Sequence, residues 1–324
     1  MWALWLVGMF RGDLWHLFAE GWHMSLTMVF GSFIAGATSE GGGAVAFPVM
    51  TFLFKIAPPI ARDFALMIQT VGMGAASILI LSMGIRVERH ALLWASLGGA
   101  LGIVVGLEFV RLPPSFAKML FVSTWMAFAF ALYWINRYRE REVLEEIHAF
   151  GRRHAGMLFT TGIVGGLVSS ITGNGLDICT FAVLVLRLRI CEKIATPTSV
   201  VLMAINAAVG FAYKEAFIPG GMAPEAWRYW WVCVPVVVVG APFGAWFISE
   251  RSRHFVARLL YVAIGLQLVW GILAERAYAR PGLAAFSLGV FGLGALLFWH
   301  LSRRGVRRLE WLTKKRARGA GPPA

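Results

Sequence analysis

Charge is what this sequence has least of. Charged residues fill 15% of its 324 positions, and only 17 are acidic against 30 basic. A soluble domain carries about 25% charged residues, so the composition argues against a water-facing globule. Cysteine is nearly absent as well. Cys179, Cys191 and Cys233 form no CxxC and no paired spacing, which excludes a disulfide framework and a cysteine zinc site. No HExxH or similar cluster occurs, and the histidines fall near the ends of apolar runs. A membrane-embedded metalloenzyme would lack its ligands. Alternating segments of about ten residues, the mark of a transmembrane barrel, are missing too. The first 22 residues have neither the basic start nor the A-x-A site of a signal peptide.

What the sequence does have is long apolar runs. Hydrophobic residues make up 58% of the chain, with 14 Trp and 24 Phe. The runs 61–83, 91–110, 113–135, 230–249, 255–274 and 283–299 each approach the ~20 residues that cross a ~30 Å hydrocarbon core as helix. In lipid the backbone must satisfy its own hydrogen bonds, so helices are expected. The fold class is an all-α polytopic membrane protein. The net charge of +13 gathers at run ends rather than on one soluble face, so the partner is a lipid bilayer and not nucleic acid. Residues 302–324 read as a basic cytoplasmic tail drawn to anionic headgroups. Residues 1–22, aromatic and interleaved with Arg11, Asp13 and Glu20, read as an interfacial segment.

The chain also repeats itself. Residues 27–61 align on 161–195 without a gap, 134 positions apart, and nine positions are identical: Thr27, Gly31, Thr38, Gly41, Phe47, Val49, Ile56, Ile60 and Ala61 match their counterparts. This divides the chain into a first transmembrane repeat (23–135), a charged cytoplasmic linker (136–156) and a second repeat with an extra helix (157–301). Each repeat opens with two apolar pieces split by glycines, 24–38 and 44–54 in one, 157–172 and 178–188 in the other. Pieces of this length reach only ~16–24 Å as helix, which predicts a hairpin that returns to the side it left. Counting spans on that basis puts 21 basic residues on one side and nine on the other. By the positive-inside rule the richer side is the cytoplasm. Three spans between the hairpins make the repeats inverted, the plan of secondary transporters.

The interruptions explain themselves on this plan. Glycine leaves the first backbone N–H groups of a half-helix accessible, and those donors with the positive dipole end suit an anion. The substrate-binding candidates are therefore Thr38, Ser39, Gly41, Gly42 and Gly43 in the first hairpin. In the second they are Ser169, Ser170, Thr172, Gly173, Asn174 and Gly175. A second use of such glycines is tight helix packing. Glu40 and Asp177 either carry a coupling proton or cap their helices. Gln69, Asn206, Thr196, Thr198 and Ser199 either line a pathway or bond between helices. Cys179, two residues past Asp177, reads as a small buried apolar residue. No metal or cofactor is implied. Beside a carrier of a small anion, the sequence leaves open an anion channel and a metal-cation permease using Glu40 and Asp177. A homo-oligomer is compatible with all three.

In the second repeat Gly166, Ser169, Ser170, Gly173 and Gly175 resemble the GxxxGxxGxGGG signature of the sulfite exporter TauE/SafE family. In the first, Gly36, Gly41-Gly42-Gly43, Pro48 and Pro58-Pro59-x-Ala61 resemble the same signature. The resemblance covers about 32–76 and 166–210. It implies transport of a sulfur-containing anion, such as sulfite or an organosulfonate, across the bacterial inner membrane. The chain departs from the signature at Ser39, Glu40, Leu176 and Asp177.

Overall fold

The computed structural model describes residues 2–38, 43–136, 143–249 and 253–319. Among them the chain is all helix, with no strand beyond one isolated bridge. The order is α1 (Trp2–Arg11), α2 (Leu17–Ala37), α3 (Gly43–Pro48), α4 (Pro58–Ser82), α5 (Arg89–Phe109), α6 (Pro114–Asn136), α7 (Arg152–Thr172), α8 (Leu176–Ala182), α9 (Glu192–Phe217), α10 (Pro224–Ser249), α11 (Arg253–Glu275) and α12 (Pro281–Gly319). Six of the described helices are long and apolar enough to cross a bilayer: α4, α5, α7, α9, α10 and the 281–306 part of α12. The central pair, α4 and α9, pack on each other and carry the largest buried shares.

The sequence repeat reappears as local geometry. A π-helical turn, Val49–Leu53, follows α3, and a second, Val183–Arg187, follows α8 at the same offset. Each ends alike: Phe54 N–H donates to Val49 O and Leu188 N–H to Val183 O, both at 3.0 Å. The next residues, Lys55 (φ 56°) and Arg189 (φ 60°), are both left-handed. A non-glycine there is uncommon, so a match at one offset marks a shared local design. Packing partners are exchanged between the halves, since α5 lies chiefly on α7 and α10 on α2. Small residues let these backbones meet. A Cβ at Gly98 or Gly102 would lie 2.0 or 2.2 Å from a carbonyl of α7, and one at Gly36 1.8 Å from the Ala241 carbonyl. Helix α6 touches both short half-helices. Phe121 packs on Phe47 with ring centroids 5.0 Å apart, and Phe128 on Phe181 at 5.7 Å.

The hairpins are less symmetric within themselves than the sequence suggests. Their first arms, α2 and α7, each have 21 residues, about 31 Å of helix, instead of a short piece. Both start upstream because Glu20, Arg152 and Arg153 sit exposed near the helix start, where a charge costs little. Only the returning arms are short. The second hairpin does come back to where it began: Leu144 N–H donates to Arg189 O at 2.7 Å and Cys191 N–H to Leu144 O at 2.9 Å. Entry and exit are thus hydrogen-bonded to each other. The last helix is also longer than its apolar run, continuing through the basic segment to Gly319.

Candidate functional site

The turn of the second hairpin is built by two glycines. Helix α7 ends where Gly173 turns left-handed (φ 78°) and donates its N–H to Ser169 O at 2.7 Å. A Cβ on Gly173 would lie 2.5 Å from Ala65 Cβ and 2.9 Å from Arg62 O, so α4 can pass only because it is absent. Gly175 (φ 157°) then opens α8, whose first N–H groups are orphan donors. They are taken by the chain's own side chains. Asp177 Oδ1 accepts from Gly175 N–H at 3.1 Å and Ile178 N–H at 2.9 Å. Ser169 Oγ accepts from Leu176 N–H at 3.2 Å. Thr172 Oγ1 donates to Asn174 O at 2.6 Å. The anion-accepting end of α8 therefore already holds an acidic side chain, that of Asp177. Asp177 Oδ2 is buried and has no partner among the described residues.

Two central helices bring polar side chains to this turn. Gln69 of α4 donates through Nε2 to Ala65 O and Gly173 O, both at 2.9 Å, and leaves Oε1 buried and open. Asn206 of α9 is buried with neither amide atom bonded among the described residues. A Cβ at Gly99 would lie 3.0 Å from Asn206 Oδ1 and 2.8 Å from Leu176 Cδ2, so Asn206 reaches the first turn of α8. Thr180, one turn beyond Asp177, has a buried hydroxyl without a partner. Each such group costs about 1–3 kcal/mol. A buried polar group left without a partner in a folded protein calls for an explanation.

The other candidates are placed differently. Thr198 donates to Ile194 O at 2.6 Å and accepts from Glu88 N–H at 2.9 Å, and Ser199 donates to Thr196 O at 2.8 Å. These three lie buried in α9 without a hydrogen bond to the hairpin turn. Ser170 donates to Leu167 O at 2.7 Å and sits against Gly106 of α5. In the first hairpin Thr38 is buried and donates to Ile34 O at 2.8 Å. Gly43 begins α3, while Ser39, Glu40, Gly41 and Gly42 lie outside the described residues. Cys179 is half-buried in α8.

One cluster escaped the sequence reading. Asp63, 1% exposed, accepts at Oδ1 from Arg62 Nη2 at 2.7 Å and at Oδ2 from Lys214 Nζ at 2.5 Å. Oδ2 also accepts from Ala223 N–H at 3.1 Å, Lys214 donates to Gly221 O at 2.7 Å, and Arg62 Nη1 reaches Ser170 O at 3.4 Å. The cluster joins α4, the end of α7, the end of α9 and the loop that follows it. Two cations share the Asp63 carboxylate, and a second carboxylate reaches the same loop, Glu215 Oε2 accepting from Met222 N–H at 2.8 Å. The only signal in the sequence was the adjacent Arg62-Asp63 at the start of an apolar run; Lys214 lies 151 residues from Asp63.

With this geometry in place, comparison with known proteins is informative. A family model described as "Sulfite exporter TauE/SafE" matches residues 24–271. The match takes in the first hairpin from within α2 onward, the second hairpin, and α4 through most of α11. The chain belongs to this family of membrane transporters, and it is a multi-pass membrane protein. Neither the curated proteins nor the solved structures contain a match to it.

Proposed function

We propose that the chain is a secondary transporter that carries a small sulfur oxyanion, sulfite or an organosulfonate, through the turn of its second hairpin. The observation that carries this reading is that the turn and the helices packed on it hold buried polar atoms with no partner among the described residues: Asp177 Oδ2, Asn206 Nδ2 and Oδ1, Gln69 Oε1 and the Thr180 hydroxyl. A transported ion needs groups that are open in the absence of substrate. Asn206 Nδ2 and Thr180 Oγ1 can donate to an oxyanion. Thr38, Ser39 and Gly41–Gly43 of the first hairpin are assigned the matching half of the site, and the two repeats are assigned opposite orientations in the bilayer.

Asp177 supplies the coupling. Ionised, its Oδ1 holds the N–H groups of Gly175 and Ile178 in charge-assisted bonds. Protonated, it is a weaker acceptor and yields those donors to the arriving anion. Carboxylate and substrate thus compete for one set of donors, and each anion bound is accompanied by a proton. A metal-cation permease would need a ligand cluster, and no group of three or more acidic, histidine or cysteine side chains occurs among the described residues. The cytoplasm is assigned to the side with the linker and tail, and the bacterial inner membrane is the assigned location. Reconstituted vesicles test the reading: sulfite or a sulfonate should move with a proton gradient. A current that needs no gradient would make the protein a channel, and uptake competed by divalent metal and not by sulfite would make it a cation permease.

A further inference from the structure

Among the described residues Trp125 of α6 is the largest side chain that is fully buried. An indole N–H can only donate, and a buried one usually finds an acceptor. Trp5 and Trp230 follow that rule. Trp5 Nε1 donates at 2.8 Å to Trp231 O, the carbonyl that Pro235 leaves without its helical donor. Trp230 Nε1 donates to Met67 O at 3.2 Å. Trp125 does not follow it. Its Nε1 is buried and has no hydrogen-bond partner among the described residues. An unpaired donor is costly in a place without water.

Its position in the fold points to the missing acceptor. Phe121, Trp125 and Phe128 stand at i, i+4 and i+7 of α6, on one face of the helix. Phe121 packs on Phe47 of α3 and Phe128 on Phe181 of α8, and these two are counterparts at the repeat offset. Along α6, Trp125 therefore lies between the contacts to the two half-helices. It is also the middle residue of the helix Pro114–Asn136, as far from either end as possible. Stacking on Phe121, with ring centroids 4.2 Å apart and planes 22° apart, holds the indole in place. A fixed donor left open between the two returning arms suits an acceptor that arrives and leaves. We infer that Trp125 is a substrate-contacting residue, whose indole N–H donates to an oxygen of the oxyanion as it passes between the half-helices. This rests on the reading of the chain as a carrier of a sulfur oxyanion, and it adds to that site a residue outside both hairpins. Being neutral, the indole holds a charged oxygen without the desolvation cost of a buried cation.

The test measures binding of methanesulfonate and sulfite to the purified full chain, together with thermal unfolding. Trp125→Phe keeps a ring on Phe121 and removes the N–H. It should weaken binding by about tenfold, the worth of one hydrogen bond to a charged group. Benzothienylalanine placed at position 125 keeps the bicyclic shape and also lacks the N–H. It should weaken binding as much and unfold at the parental midpoint or above, because no bond within the chain is lost. If Trp125→Phe does not fold, this isostere carries the test. Trp5→Phe should do the reverse, lowering the midpoint and binding as the parent, since its N–H serves the Trp231 carbonyl. Parental binding by the folded Trp125 variants overturns the inference and leaves the carrier reading in place. An isostere that unfolds well below the parent shows that the N–H serves the fold, and overturns it too. A parent that binds neither anion overturns the carrier reading, and the inference falls with it.

Discussion

The side-chain amide of Gln69 donates to the carbonyl of Gly173 at 2.9 Å, across 104 residues of sequence. This bond links the first long helix of one repeat to the turn of the other repeat's hairpin. It satisfies the Gly173 carbonyl and leaves Gln69 Oε1 buried with no partner among the described residues.

Replacing Gln69 should therefore be felt in both stability and transport. Gln69→Leu leaves the Gly173 carbonyl buried and unbonded, which costs about 1–3 kcal/mol. Thermal unfolding in detergent should show that loss, and flux should fall further than stability does. A Gln69→Leu protein with parental flux would remove this residue from the site.

Asp63 is expected to be a stability residue first. Asp63→Asn leaves Arg62 and Lys214 buried without their carboxylate, and breaking such a group from one side costs about 3–5 kcal/mol. A lowered unfolding midpoint checks it. The paired change Asp63→Asn with Lys214→Met should recover part of the loss, because it removes the uncompensated cation as well.

The glycines should separate into two kinds. Gly98→Ala places a Cβ 2.0 Å from the Phe159 carbonyl, a backbone atom that cannot step aside. Gly175→Ala meets Val168 Cγ1 at 2.7 Å and Cβ at 2.8 Å, a milder overlap that a small displacement of α7 relieves, and φ 157° adds strain of about 1–3 kcal/mol. Gly98→Ala should give little monodisperse protein; Gly175→Ala should fold and fail to transport. Parental transport by Gly175→Ala would return that glycine to a packing role.

Topology has its own check, in a background without Cys179, Cys191 and Cys233. Glu145 and Leu112 are both exposed, and the span count puts them on opposite sides of the membrane. An impermeant thiol reagent added to intact cells should label Leu112→Cys and spare Glu145→Cys. The reverse pattern would invert the whole assignment.

Much of this architecture could be read before any coordinates. The apolar runs became α4, α5, α6, α10, α11 and α12, because lipid leaves the backbone no alternative to helix. The 134-residue offset was legible as identities such as Phe47 with Phe181, and these two rings turned out to face the same helix, α6. Asp177 was legible as an acid in the first turn of its half-helix, with capping and proton coupling both open to it. What could not be read was tertiary. Nothing near Asp63 announces Lys214. The upstream extension of α7 depends on Arg152 and Arg153 being exposed at the helix start. The bonds of Leu144 with Arg189 and Cys191 join backbone groups, which leave no mark in side-chain pattern.

The central claim is that Asp177 and the substrate compete for the N–H groups of Gly175 and Ile178. It is tested most directly by the binding of an organosulfonate, whose charge is constant with pH, to the purified parent and to Asp177→Asn. Protonating Asp177 frees the donors, so parental affinity should rise as pH falls, by up to about tenfold per pH unit where one proton accompanies each anion. Asp177→Asn cannot ionise and should bind with an affinity that does not change with pH. An Asp177→Asn protein that keeps the parent's pH dependence, or a parent that binds equally at every pH, would contradict the account.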